Sequence, residues 1–192
     1  MKIFEEIEKQ IKSNKKVVVG IDGPSASGKS TLGNMLRDKY NALLFHTDHY
    51  FLPPEMKTSD RLSESGGNVD YHRLEQEIMK KLDSDYIISN HFNCKTNELE
   101  KRDQQKNKQV IILEGAYSLR ENLFPYYTLS IFLEIDEELQ KNRILARNGE
   151  VMLQKWINEW IPLENTYFEN EDLKNKVNIL IDLNIKNYYF LS

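Results

Sequence analysis

Five short apolar runs stand out along the chain: Lys16 to Ile21, Ala42 to Thr47, Val110 to Gly115, Leu129 to Ile135 and Asn178 to Leu183. They are rich in β-branched residues and lack polar alternation, as strands do when a parallel sheet is covered on both faces. Between them the period lengthens. Ile3, Ile7 and Ile11 recur every four residues; Leu74, Ile78 and Leu82 share one helical face; Leu153, Trp156, Ile157 and Trp160 share another. The tryptophans at that spacing read as core or lid packing. The resulting order, β-α-β-α-β-β-α-α-β, predicts an α/β chain with a mostly parallel central sheet flanked by helices in three layers.

Two segments break this rhythm. The connection from Asp48 to Asp70 contains Pro53-Pro54 and the run Ser63 to Asn68, "SESGGN". Connections of that length without their own structure are usually functional or disordered. The stretch at about 87–109 is polar with extended ends, which predicts a small β-hairpin flap on the substrate side. The tail "IKNYYFLS" is aromatic and is expected to pack onto the body.

Composition narrows the class. A chain of 192 residues with 40% hydrophobic and 29% charged content suits one globular domain, taken as 1–192. The net charge of −4 argues against nonspecific nucleic-acid or anionic-membrane binding, so any anion site must be local. Cys94 is the single cysteine, which excludes an intrachain disulfide and fits a reducing compartment. The N-terminal stretch lacks the apolar core of a secretory signal, and no run approaches the roughly 20 apolar residues of a membrane span. A cytoplasmic location is expected.

The first strand runs into Gly23-Pro24-Ser25-Ala26-Ser27-Gly28-Lys29-Ser30-Thr31, which matches G-x-x-x-x-G-K-[ST]. The glycines permit backbone conformations closed to other residues, so that several N–H groups converge on one concavity. A helix beginning near Lys29 would add its unpaired N–H groups and the positive end of its dipole. Lys29 can set an ammonium against the β- and γ-phosphates of ATP, and the Ser30 hydroxyl can ligate Mg²⁺. The strand-before, helix-after context is the one this motif requires.

A phosphate loop does not name a reaction, so other residues must. Asp48 follows the second strand and Glu114 closes the third; both fall at strand carboxyl ends, where α/β sheets bind ligands. Asp48 is the candidate base, and Glu114 the candidate to orient the metal or the acceptor. Arg143 and Arg147, four apart on one helical face, suggest a lid at about 143–165 that meets charge on the transferred group, with Asn148-Gly149 ending its helix. Arg61, Asn68 and Asp70 lie in or beside the long connection, Asp70 also in N-cap position for a helix starting near Tyr71. His46, His49, His72 and His91 show no metal-ligand spacing.

In this order, "GPSASGKS", "TDHYF", "SGGNVDYHRLEQEI", "VIILEGAYSL" and "IFLEIDEELQKNRILARNG" resemble the uridine kinase and phosphoribulokinase group of P-loop kinases, in particular its short bacterial members. The phrase "NEWIPLENTYFE" is similar to that subgroup too. The resemblance implies a P-loop NTPase fold, ATP and Mg²⁺ as cofactors, and a small-molecule hydroxyl acceptor such as a nucleoside 5′-hydroxyl. It implies Asp48 as catalytic base, Asp70 as the acid that holds sugar hydroxyls, Glu114 near the metal, and Arg143 and Arg147 as lid arginines; it also permits homo-oligomers. This chain departs from the group at "GNVDYH" and "SNHFNCKT", the segments that shape a nucleoside pocket. Uridine or cytidine is the leading acceptor; a kinase for another small metabolite, a nucleoside monophosphate kinase and an ATP-binding regulator with weak hydrolysis stand as alternatives. A GTPase is the least expected reading, since no N/T-K-x-D segment lies between the later strands.

Overall fold

The computed structural model describes residues 2–93, 96–101 and 104–184. Cys94 and the aromatic tail lie outside them. The central sheet contains β1 (Val17–Asp22), β2 (Leu43–His46), β7 (Val110–Glu114), β8 (Leu129–Glu134) and β9 (Ile179–Asp182), in the spatial order β2-β7-β1-β8-β9. All four pairings are parallel. The remaining strands are β3 (Tyr86–Ile87), β4 (His91–Asn93), β5 (Glu98–Glu100) and β6 (Gln105–Lys106). The five short apolar runs of the sequence are thus the five strands of the sheet.

Strand alternation divides the core in two. Val17, Val19, Ile21, Val110 and Ile112 face a cluster capped by Ile3 and Ile7 of α1 (Lys2–Lys12) and by Leu32 and Leu36 of α2 (Lys29–Tyr40). Ile111, Leu113 and Phe132 face the other way, toward Tyr71 and Leu74 of α4 (Tyr71–Glu77), Tyr167 and Phe168 of α7 (Ile161–Asn170) and Leu173 of α8 (Leu173–Lys176). Because β1 and β7 are buried along their whole length, they need apolar residues on both faces, as their sequences supply.

The flap has two tiers, β3 paired with β6 and β4 with β5, both antiparallel. The His91 ring of β4 stacks on His49 with centroids 3.6 Å apart, and His49 meets His46 edge-on at 5.0 Å. The lid is formed by α5 (Glu137–Asn148) and α6 (Glu150–Lys155), then a π-helical turn over Trp156–Trp160, then α7. Pro162 in the first turn of α7 explains the wide turn. It has no N–H to give, and the ladder passes to i→i+5, with Ile161 N–H bonded to the Trp156 carbonyl. Gly149 ends α5 at φ 79°, as the Asn148-Gly149 pair suggests. The short helix α3 (Ser59–Ser63) lies in the long connection after β2. No helix among the described residues is long and apolar enough to cross a membrane.

Candidate active site

Parallel strands bring their carboxyl ends to one edge, and there the loop Gly23–Gly28 joins β1 to α2. The register aligns His46, Ile21 and Glu114 across this edge. Gly23 adopts φ 143° and packs so closely on the Leu133 carbonyl that a Cβ there would clash. Gly28, at φ 97°, is the N-cap of α2 and brings no capping side chain, which leaves the helix N-terminus open to an anion. Lys29 is buried and donates from Nζ to the carbonyls of Gly23 at 2.7 Å and Pro24 at 2.9 Å, which folds the ammonium over the loop.

Asp22 anchors the loop from below. Wholly buried, it accepts from Gly23 N–H (2.7 Å), Leu119 N–H (2.9 Å) and the Tyr167 hydroxyl (2.8 Å). Burial nonetheless pushes its carboxyl up to about 6 from an ordinary 3.8, against the lowering effect of these donors and of Lys29. An acid with a raised folded pKa stabilises the fold most when both states are protonated, below about 4, and that contribution is lost as pH rises through about 6. At about 1.4 kcal/mol per pH unit, the interval is worth on the order of 3 kcal/mol. Urea unfolding of the native chain and of Asp22→Asn should therefore show the native advantage shrinking by roughly that amount between pH 4 and 7. Parallel pH profiles would contradict it.

Above the loop lies a cavity of about 1050 Å³. Ser25, Ala26, Gly28, Lys29, Ser30 and Thr31 face it, whereas Gly23, Pro24 and Ser27 belong to the loop's frame. Asp48 opens into the same cavity from the 3-10 turn Thr47–Tyr50. Its own surface is exposed to the cavity while protein surrounds it, and that burial raises its carboxyl pKa. Lys29 opposes the rise, Glu114 adds to it, and His46 and Arg147 lower it again. A carboxylate raised in this way beside a phosphate loop is a stronger proton acceptor than an ordinary aspartate.

Glu114 is buried at the end of β7 and bonded through Oε1 to His46 Nδ1. Arg143 and Arg147 both reach the cavity. Arg143 donates to the Ala26 carbonyl at 3.2 Å, and Arg147 to Asn148 at 2.7 Å, its guanidinium 6.0 Å from the Trp156 ring centroid. The lid thus touches the phosphate loop. No group of three or more His, Cys, Asp or Glu suited to a metal occurs among the described residues. Mg²⁺ in phosphate sites generally takes one or two protein ligands plus phosphate oxygens, and Ser30, exposed at the start of α2, fits such a role.

Two expected site residues stand elsewhere. Arg61 is spent on Glu64 (2.6 Å) and the Val69 carbonyl (2.9 Å), and Asp70 caps α4 through Arg73 N–H (2.9 Å) and pairs with the Arg73 side chain at 3.6 Å. Neither lines the cavity; the neighbouring Gly66, Gly67, Asn68 and Val69 do. The described flap residues contribute none of its wall. In their place come three residues that sequence reasoning passed over or read as packing. Glu164 of α7 is buried and accepts from Ser25 N–H at 3.0 Å and from the Ser25 hydroxyl. Burial raises its pKa, opposed first by Lys29. Trp156 and Trp160 also face the cavity. Glu164 and Tyr167 form an i,i+3 pair on one face of α7, and both reach the ends of the β1–α2 loop.

No family model matches the chain. A guanylate kinase of Clostridium perfringens is 29% identical over 148 residues, covering 72% of this chain and 65% of that protein. The chain therefore spans just under two thirds of that curated relative. A uridine kinase of Bacillus cytotoxicus is 26% identical over 176 residues, 82% of either chain. Among solved structures, a possible uridine kinase from Bacillus stearothermophilus superposes with a TM-score of 0.71 at 21% identity, covering 95% of this chain and 100% of that one. The chain is thus similar in sequence to guanylate and uridine kinases, and its parallel sheet with flanking helices shares the fold of that solved structure.

Proposed function

We propose that the protein is an ATP-dependent phosphotransferase that moves the γ-phosphoryl group to a hydroxyl of a small molecule, with the 5′-hydroxyl of uridine or cytidine as the leading acceptor. The observation that carries this reading is that Asp48 and Lys29 face one cavity and are close enough for the lysine's charge to oppose the rise in the Asp48 pKa. A passive nucleotide binder has no need of a raised carboxylate there. The acceptor reading follows from the uridine kinase likeness. The single cysteine suits a reducing, cytoplasmic setting.

In this reading the loop N–H groups and Lys29 hold the phosphates. Asp48 takes the proton from the acceptor hydroxyl as its oxygen bonds to the γ-phosphorus and the ADP oxygen leaves. Arg143 and Arg147 offset charge on the group in transit. Ser30 would hold Mg²⁺ directly, with Glu114 oriented by His46 as the nearby acid. Bound there, the metal supplies charge neutralisation at the phosphate oxygens.

A nucleoside monophosphate acceptor is the second reading, favoured by the guanylate kinase likeness and by Lys57 on the cavity wall. ADP production with MgATP against nucleosides, nucleoside monophosphates and small sugars separates the cases, with Lys29→Ala as blank. Uridine or cytidine should raise ADP production at least about tenfold over the no-acceptor rate. A response to monophosphates alone would favour the second reading. Silence with every acceptor, with ATP still bound, would favour a regulator.

A further inference from the structure

We propose that Trp156 and Trp160 form the wall on which the planar base of the acceptor stacks. This rests on the acceptor's being a nucleoside. The two indoles are carried by the π-helical turn before Pro162, and both border the cavity. Inserted π turns of this kind concentrate at functional sites, because they turn side chains that a regular helix would space differently. The rings meet edge to face, with centroids 4.3 Å apart and planes at 75°. The ring that supplies the edge therefore keeps both faces clear of the other.

Each indole is only partly buried, and no aromatic partner besides the other indole is paired with it among the described residues. Large apolar rings beside a water-accessible cavity leave a stabilising burial unrealised until something flat covers them. Lys155 lies 5.0 Å from the Trp160 centroid and Arg147 6.0 Å from that of Trp156, so cations already hold the indoles at the lid. Trp156 Nε1–H is shielded from solvent without an acceptor among the described residues.

A planar nitrogen heterocycle could come from either substrate. The remainder of the wall decides for the acceptor. Phe51, Leu62 and the Gly66-Gly67 backbone belong to the connection that follows Asp48, the candidate base, and they line the same cavity as the indoles. Glycine at both positions is forced by packing, since a Cβ at Gly66 would meet the Tyr71 hydroxyl and one at Gly67 the Arg61 carbonyl.

The chain has two tryptophans, so its indole fluorescence reports this wall alone. The full chain is titrated with uridine, with ribose and with MgADP, and steady-state kinetics are run on Trp156→Leu, Trp160→Leu and the matching phenylalanine variants. Uridine should quench or shift the emission where ribose does not. At least one leucine variant should raise KM for uridine about 10- to 100-fold, with KM for MgATP within about twofold, and phenylalanine should recover most of the loss. Emission that follows MgADP and ignores uridine would overturn the proposal in favour of the adenine. So would a uridine KM unmoved in every variant while uridine is turned over. If no nucleoside is phosphorylated but uridine still quenches, the wall stands and the reaction does not; if neither happens, both fall.

Discussion

Asp48→Asn should lower turnover of the acceptor by about 10²- to 10⁴-fold while the chain still binds MgATP within a few-fold of its native affinity. The amide has the size of the carboxylate but cannot take a proton. The fold should not notice, because Asp48 points into the cavity from a turn held by other means. Thr47 donates to the Ala116 carbonyl at 3.1 Å and packs against Gly115, which fixes the turn to the end of β7. The pH profile sharpens the test. Burial raises the Asp48 pKa, so the native enzyme should lose kcat/KM on acidification at a pH above the ordinary aspartate range of about 4, as the base becomes protonated. The asparagine variant should lack that limb. An unchanged kcat with acceptor would remove Asp48 from the chemistry, and a lost ATP affinity would make it a structural residue.

Lys29→Ala should cost about 10³-fold in kcat/KM for MgATP. Lys29 is buried beside Asp22, Asp48 and Glu164, and its charge lowers the pKa of each. In the proposed reading, removing it deletes the cation that meets the phosphates and leaves Asp48 and Glu164, which line the cavity, facing an incoming polyanion. The Gly23 and Pro24 carbonyls also lose their donor, so the loop itself should loosen. Calorimetric titration with MgATP checks binding directly, and retained affinity together with retained turnover would refute the assignment.

The sheet was legible in the sequence because its strands are buried on both faces and each had to be a short apolar run. Val110–Glu114 needed Ile111 and Leu113 for one cluster and Val110 and Ile112 for the other. The flap was legible only in outline. Glu98–Glu100 is exposed throughout, so no burial pattern marks it as a strand. The phosphate loop could be read because every position answers to local backbone geometry. Asp70 illustrates the opposite case: the same aspartate serves as a helix cap or a sugar ligand, and only the placement of Arg73 shows it turned from the cavity. Glu164 was hidden for another reason. Its partner Ser25 lies 139 residues away, and nothing local says that α7 folds back onto the loop. The tryptophans carried a helical spacing that packing explains equally well, until the wide turn before Pro162 set them at the cavity.

The bond between Glu164 and Ser25 also bears on how nucleotide arrives. A loop shaped to receive an anion already grips one belonging to the chain itself. Any phosphate that claims the Ser25 donors must first take them from Glu164, so its entry there is a trade between two anions. That trade links occupancy of the loop to the seating of α7, and each must bias the other by the same free energy. Acid shifts the terms, because burial already favours the protonated carboxyl and a neutral Glu164 is a weaker rival. The lid is thereby a competitor for the site it covers.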